Sequence, residues 1–204
     1  MITHLSEKFF EDYLNQYNLK YERDFFVEPG NVDFRVKSSD RFALCDVKAI
    51  EKTGVDNDSK LWAQRNIRKD IKIFRNKFGK NRPMEPCVLV LMNFSSMIFT
   101  GLTVARSMRG EIGYIFDGTS KEIISDAHHL PKGNASMTRR QNRSFSGVLV
   151  FNRNHNHHYL FKNPFAENCI PDDFFPAVHI IYLKKEYSSN ELKYLTGLTF
   201  FSVE

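Results

Sequence analysis

Alternating apolar and polar positions predict a β-hairpin over Asn31–Ile50. The first arm has the period of a strand with one buried face, and residues 38–40 have the composition of a turn. The second arm, Arg41–Ile50, is apolar on both faces, which is typical of a central strand covered by helices. The apolar residues of the first arm are Val32, Phe34 and Val36, and those of the second include Phe42, Leu44, Cys45, Val47 and Ile50.

Helical periodicity and short apolar runs predict the elements around this hairpin. Leu5–Tyr17 and Ser59–Lys80 repeat apolar residues at helical spacing. Tyr21–Val27 and Cys87–Phe94 have the length and composition of strands. The order of helix, strands, helix and strand predicts an α/β domain, with a central mixed sheet flanked by helices.

The chain beyond residue 95 has shorter and more varied elements. We expect residues 1–95 to form a core and residues 96–204 to form a C-terminal α+β elaboration packed on the same domain. The sequence leaves the function of that second part open, and Leu192–Val203 alternates too weakly for an assignment. The predicted elements of this part are a helix over Ser95–Ser107, short strands at Ile112–Phe116 and 123–124, and strands at Ser146–Phe151, Tyr159–Phe161 and Val178–Leu183.

Three charged residues in the hairpin are the main candidates for chemistry. If the turn centres near Ser39, Asp33 falls opposite Cys45 or Asp46, and Lys48 lies on the same face as Asp46. Buried charges are costly unless they are paired or bind a metal, and two adjacent carboxylates suit a hard cation such as Mg²⁺ or Mn²⁺. A structural Asp–Lys pair at the end of a strand is an equally simple interpretation.

Glu7 and Gln64 are further candidates. Glu7 borders the apolar face of the first helix and could supply a third acid, although a solvated first-turn glutamate explains it as well. Gln64 lies on the apolar side of the long helix and therefore needs a hydrogen-bond partner. The remaining faces of that helix carry a basic coat that either contacts phosphate or is simply solvated: Arg65, Arg68, Lys69, Lys72, Arg75 and Lys77.

A second basic segment lies at His128–Arg143. It contains four cations and no acid, and the cations are Lys132, Arg139, Arg140 and Arg143. Neutral hydrogen-bonding residues accompany them, and this composition suits contacts with nucleic-acid phosphates. A mobile, solvated loop is one alternative, and contact of Lys132–Arg143 with an acidic protein is another.

Composition limits the classes of protein that fit. The chain has 204 residues, of which 42% are hydrophobic, so it supports a folded core. Its 29 Lys and Arg residues exceed its 24 Asp and Glu residues, which permits a polyanionic partner. No apolar run approaches the roughly 18–20 residues that cross a bilayer, so we expect no membrane association. Three scattered cysteines and the lack of a secretory signal favour the cytoplasm.

Together these residues resemble the PD-(D/E)xK nuclease superfamily, which includes restriction endonucleases and Holliday-junction resolvases. The resemblance rests on Glu7 in a first helix, Asp33 after Pro29-Gly30, Asp46-Val47-Lys48 on a buried strand, and Gln64 on the next helix. It covers about the first 95 residues. The chain departs from the family pattern in two ways: no proline directly precedes Asp33, and the second acid is Asp rather than Glu.

The resemblance implies a restriction endonuclease-like core and a metal-dependent nuclease, expected to be a DNA endonuclease in defence or repair. Asp33, Asp46, the Val47 carbonyl and Glu7 would bind Mg²⁺ or Mn²⁺. Lys48 would activate water or offset phosphate charge, and Gln64 would position Lys48 or the water. The alternative is a nuclease-fold module that binds nucleic acid without cleaving it. The sequence also leaves open whether the protein forms a homodimer.

Overall fold

The computed structural model describes residues 2–50, 59–78, 81, 83–94, 99–113, 119, 127–129, 135–138, 142–151, 158–184 and 186–200. Four helices and twelve strands lie in these ranges. The helices are α1 (Ile2–Gln16), α2 (Ser59–Lys77), α3 (Gly101–Arg109) and α4 (Ser189–Gly197). None of these helices combines the length and the apolar character that a membrane-spanning helix needs.

The strands form one large sheet and two small ones. The first four are β1 (Lys20–Val27), β2 (Gly30–Ser38), β3 (Arg41–Ile50) and β4 (Cys87–Asn93). The next four are β5 (Phe99–Thr100), β6 (Ile112–Gly113), β7 (Ala127–His129) and β8 (Phe145–Phe151). The last four are β9 (His158–Lys162), β10 (Val178–Tyr182), β11 (Glu186–Tyr187) and β12 (Thr199–Phe200).

The large sheet has seven strands in the order β1-β2-β3-β4-β8-β9-β10. It is mixed, because β1, β2 and β3 are antiparallel neighbours whereas β3, β4 and β8 run parallel. Strand β9 is antiparallel to β8 and parallel to β10. The predicted α/β fold with a central mixed sheet between helices is therefore confirmed. Strands from both sides of residue 95 belong to this one sheet.

Apolar residues cover both faces of the sheet, in two separate clusters. On one face, Phe10 and Leu14 of α1 pack on Cys45 and Val47 of β3. On the other face, α2 and α3 pack on Leu44, Ile50 and their neighbours. The central strands β4 and β8 are buried along their whole length, as expected for strands covered on both sides. Alternate residues of β3 therefore face different helices.

Three element predictions need correction. Helix α3 begins at Gly101, where Thr100 forms a capping box with Thr103, rather than at Ser95. Residues 128 and 129, predicted as loop, lie in β7. The segment left unassigned begins within helix α4, which Ser188 and Glu191 cap in the same way. The predictions for 95–98, 114–116 and 123–124 lie outside the described residues.

Candidate functional site

The β2–β3 hairpin brings Asp33 next to Asp46. Phe34 pairs with Cys45 across the two strands, so Asp33, one residue earlier, lies level with Asp46. The backbone N–H of Val47 donates a hydrogen bond of 2.7 Å to Asp33 Oδ2. This bond fixes one carboxylate against the strand that carries the other. The turn at 39–40, which sets the register, falls where the sequence predicted it.

Two lysines hold this pair of carboxylates from two sides. Lys48 Nζ lies 2.8 Å from Asp46 Oδ2 and 3.5 Å from Asp33 Oδ2. Lys77 Nζ lies 3.3 Å from Asp33 Oδ1 and also forms a short ion pair with Asp46 Oδ1. Lys48 Nζ in addition donates a 3.1 Å hydrogen bond to the Val47 carbonyl. We call these four residues, Asp33, Asp46, Lys48 and Lys77, the carboxylate–lysine cluster; its formal charge is zero.

The cluster is largely withdrawn from water. Asp46 is fully buried, while the side chains of Asp33, Lys48 and Lys77 are 18%, 22% and 24% exposed. Burial raises the pKa of Asp46, the charge on Asp33 acts in the same direction, and the two lysines oppose them without cancelling the shift. Burial lowers the pKa of Lys48, but the attraction of Asp46 and Asp33 outweighs it and the net pKa is raised.

Lys77 belongs to this cluster although the sequence indicated only that it is part of the basic coat of α2. The reason is the way that the end of α2 meets the sheet. A Cβ added to Gly30 at the start of β2 would lie 2.8 Å from the Lys77 carbonyl oxygen, so only glycine permits this close approach. The last turn of α2 is thereby held beside Asp33, and the Lys77 side chain enters the site instead of extending into water.

Asp70 is a second residue that sequence reasoning missed. It lies seven positions before Lys77 on α2 and therefore on the same side of the helix. Burial raises the pKa of Asp70 to about 6; Lys48 and Lys69 lower it, and Asp46 raises it further. The spacing of Asp70 and Lys77 along the edge of the apolar stripe was the available signal.

Gln64 is buried as predicted, but its side chain binds a different partner. Its amide nitrogen donates a 2.7 Å hydrogen bond to Glu111 Oε1. Arg68 lies 3.2 Å from the same oxygen, and Arg106 lies 3.7 Å from the other carboxylate oxygen. Gln64 therefore helps to join α2 to the end of α3, and the structure does not bring it to Lys48.

Glu7 lies across the sheet from the cluster. Its carboxylate forms a 3.0 Å ion pair with Arg23, which also contacts Glu11. Helix α1 covers the face of β3 that carries Cys45 and Val47, whereas Asp46 and Lys48 project from the other face. The structure therefore does not bring Glu7 to Asp33 and Asp46.

Of the four predicted phosphate contacts in the segment His128–Arg143, Arg143 alone lies among the described residues. Its side chain is 46% exposed and pairs with Glu167 at 3.2 Å. The other three predicted contacts, Lys132, Arg139 and Arg140, lie outside the described residues.

The donor set of the cluster fits a hard divalent cation. Two carboxylates and the Val47 carbonyl are the oxygen ligands that Mg²⁺ prefers. Asp46 Oδ2 is buried, and the Lys48 ammonium 2.8 Å away is its ion-pair partner. In the part of the chain that the structure describes, no three His, Cys, Asp or Glu side chains are arranged to bind one ion. Any metal here would thus rely on two carboxylates.

Comparison with known proteins adds little to this geometry. No protein family model matches the chain. No curated protein sequence matches it either. The solved structure of SfsA from Pyrococcus furiosus in complex with Ca²⁺ is similar over 45% of this chain and 42% of its own, with 16% identity and a TM-score of 0.29.

Proposed function

We propose that this protein is a metal-dependent nuclease that hydrolyses phosphodiester bonds in nucleic acid, with DNA as the expected substrate. The observation that carries the proposal is the Asp33–Asp46 pair beside Lys48 and the Val47 carbonyl, in which Asp46 is fully buried and Asp33 is mostly covered. Burial and then the charge of Asp33 raise the pKa of Asp46, so an ionised Asp46 at this position needs nearby cations. The resemblance to the PD-(D/E)xK superfamily supports the same interpretation.

Each residue of the site has a defined role in this proposal. Asp33 and Asp46 would hold Mg²⁺ or Mn²⁺, together with the Val47 carbonyl oxygen. The ion would supply polarisation of the phosphate ester and a more acidic bound water. Lys48, held within 2.8 Å of Asp46, would keep a positive charge where negative charge develops on the phosphate. The net charge of +5 would help to attract the polyanion.

A nucleic-acid-binding module without turnover is the second candidate function. The position of Lys77 favours it, because Lys77 and Lys48 together already neutralise the two carboxylates that would otherwise bind metal. Such a module would bind nucleic acid with an affinity that falls steeply as salt is raised, but it would not cleave.

One cleavage experiment separates the two candidates. Supercoiled plasmid, linear duplex and single strands are each incubated with purified protein in Mg²⁺, Mn²⁺ or EDTA. The proposal predicts cleavage that requires metal and falls about 10²-fold or more in Asp46→Asn, as when a charge-stabilising group is lost. Asp12→Asn is the matched control, because Asp12 is exposed on α1 and pairs only with Lys8 among the described residues. Equal cleavage by Asp46→Asn and wild type would refute the nuclease assignment, and salt-sensitive binding without cleavage would favour the binding module.

A further inference from the structure

The two ammonium groups of the carboxylate–lysine cluster divide the carboxylate oxygens between them. Lys48 contacts Oδ2 of both aspartates, and Lys77 contacts Oδ1 of both. Lys77 therefore bridges one edge of the Asp33–Asp46 pair, which is the arrangement that a shared cation adopts between two carboxylates. The other edge is already bridged by the lysine of the Asp-x-Lys motif.

Lys77 comes from a different element, α2, and that element is anchored. The last turn of α2 packs directly on the first residue of β2, where a Cβ at Gly30 would lie 2.8 Å from the Lys77 carbonyl oxygen. Phe74 and Phe78 are buried on either side of Lys77 in the sequence, so the helix cannot roll without exposing them. The backbone at Lys77 is thus held in place, while its long side chain retains the freedom to leave the pair.

We infer that Lys77 is a built-in counter-ion that a divalent metal must displace from Asp33 and Asp46. This inference rests on the proposed function, because it concerns the same metal site. Lys77 is a positioning residue in this account: it holds the two carboxylates together before metal arrives, and it lowers the affinity of the site for metal.

Charge explains why the exchange has to occur. Two carboxylates and two ammonium groups give the cluster zero formal charge. Adding a divalent ion while Lys77 stays would leave a partly buried site with a charge of about +2, which is costly in a region of low dielectric. Departure of the ammonium frees Oδ1 of both aspartates for the ion. Metal binding therefore includes the cost of breaking two ion pairs, and removing Lys77 eliminates that cost.

The test measures Mn²⁺ affinity directly, without any nuclease assay. Electron paramagnetic resonance of free Mn²⁺ gives a binding isotherm for wild type, Lys77→Gln, Lys77→Arg and Lys72→Gln. Lys72→Gln is the matched control, since Lys72 is exposed on the same helix and its loss changes the net charge equally. We expect Lys77→Gln to bind Mn²⁺ about tenfold more tightly or better, because one opposing charge within the site is gone. Lys72→Gln should match wild type.

Lys77→Arg keeps the native charge and gives an independent test, which remains usable if the glutamine variant does not fold. A guanidinium can bind two carboxylates with fixed, paired hydrogen bonds. Its Mn²⁺ affinity should therefore equal or fall below that of wild type, whereas tighter binding would overturn the inference.

The outcomes separate this inference from the proposed function. If wild type binds Mn²⁺ and Lys77→Gln binds it equally or more weakly, the counter-ion role is overturned and the metal site stands. If neither protein binds Mn²⁺ at millimolar concentration, the counter-ion role and the proposed metal site are both overturned. If Lys77→Gln binds Mn²⁺ more tightly than wild type and Lys72→Gln does not, the counter-ion role and the metal site are both supported.

Discussion

The carboxylate of Asp70 should destabilise the protein at neutral pH. Burial in α2 raises its pKa from 3.8 to about 6, with Lys48 and Lys69 lowering it and Asp46 raising it. The folded protein therefore keeps a proton that the unfolded chain releases between about pH 4 and pH 6. The free energy of unfolding falls as the pH rises through this window, and the full cost is present above pH 6. Asn at position 70 has the same shape and no charge, so the variant avoids this cost.

The pKa shift sets the size of the effect. The rise in the pKa of Asp70 to about 6 corresponds to about 3 kcal/mol, and partial exposure of the side chain reduces this to about 1–2 kcal/mol. For a domain of this size, that gain would raise the melting temperature by about 2–8 °C. Asp70→Asn should therefore be more stable than wild type above pH 7, and the difference should shrink as the pH approaches 4.

Urea denaturation across this pH range measures the effect, and Asp12→Asn is the control for loss of an exposed carboxylate. A stability gain in Asp70→Asn that is independent of pH would show that charge burial is not its cause. No gain at neutral pH would contradict the burial argument itself.

Three further substitutions test packing and hydrogen bonding outside the carboxylate–lysine cluster. Gly147→Ala places a Cβ 2.5 Å from the Phe161 carbonyl oxygen and should cost about 2 kcal/mol or more in thermal unfolding, because the β8 and β9 backbones must separate. Gly197→Ala, whose Cβ would have no neighbour within 4 Å, should change stability by less than about 0.5 kcal/mol; equal effects would refute the steric argument. Glu111→Ala leaves the buried Gln64 amide without its acceptor and should cost about 1–2 kcal/mol in urea denaturation. The affinity for Mn²⁺ should stay the same in this variant, and a changed affinity would mean that Gln64 contributes to the metal site.

Local pattern was enough to predict the hairpin that carries the aspartates. A strand has a period of two, so the apolar faces of β2 and β3 and the turn at 39–40 together fix their register. The register then determines that Asp33 and Asp46 lie side by side. The same reasoning predicted that β3 is central, because only a strand covered by helices is apolar on both faces.

Which helix residues reach the carboxylate–lysine cluster depends on the face of the sheet against which each helix packs. Periodicity identifies the apolar stripe of a helix but does not say which face of the sheet it covers. Helix α1 lies on the face opposite Asp46, so Glu7 meets Arg23 instead. Helix α2 lies on the same face, so Lys77 enters the site from a border position. The Gly30 contact that places Lys77 is a long-range feature, and one sequence gives no sign of it.

For the C-terminal helix α4, the limit on prediction from sequence was its weak apolar periodicity. Ser188 and Glu191 form a capping box, which is visible in the sequence as Ser-x-x-Glu. The following residues carry a weak apolar stripe, and in the described part of α4 only Leu195 is fully buried. The cap was therefore a better indicator of this helix than its periodicity.

A crystal structure grown with Mn²⁺ would reveal whether Asp33 and Asp46 share a divalent cation in place of Lys77. We expect an anomalous scattering peak between the two carboxylates, with the Lys77 ammonium moved away from Oδ1 of both and Lys48 still beside Asp46. An occupied Mn²⁺ site elsewhere, with Lys77 still bridging the pair, would contradict it.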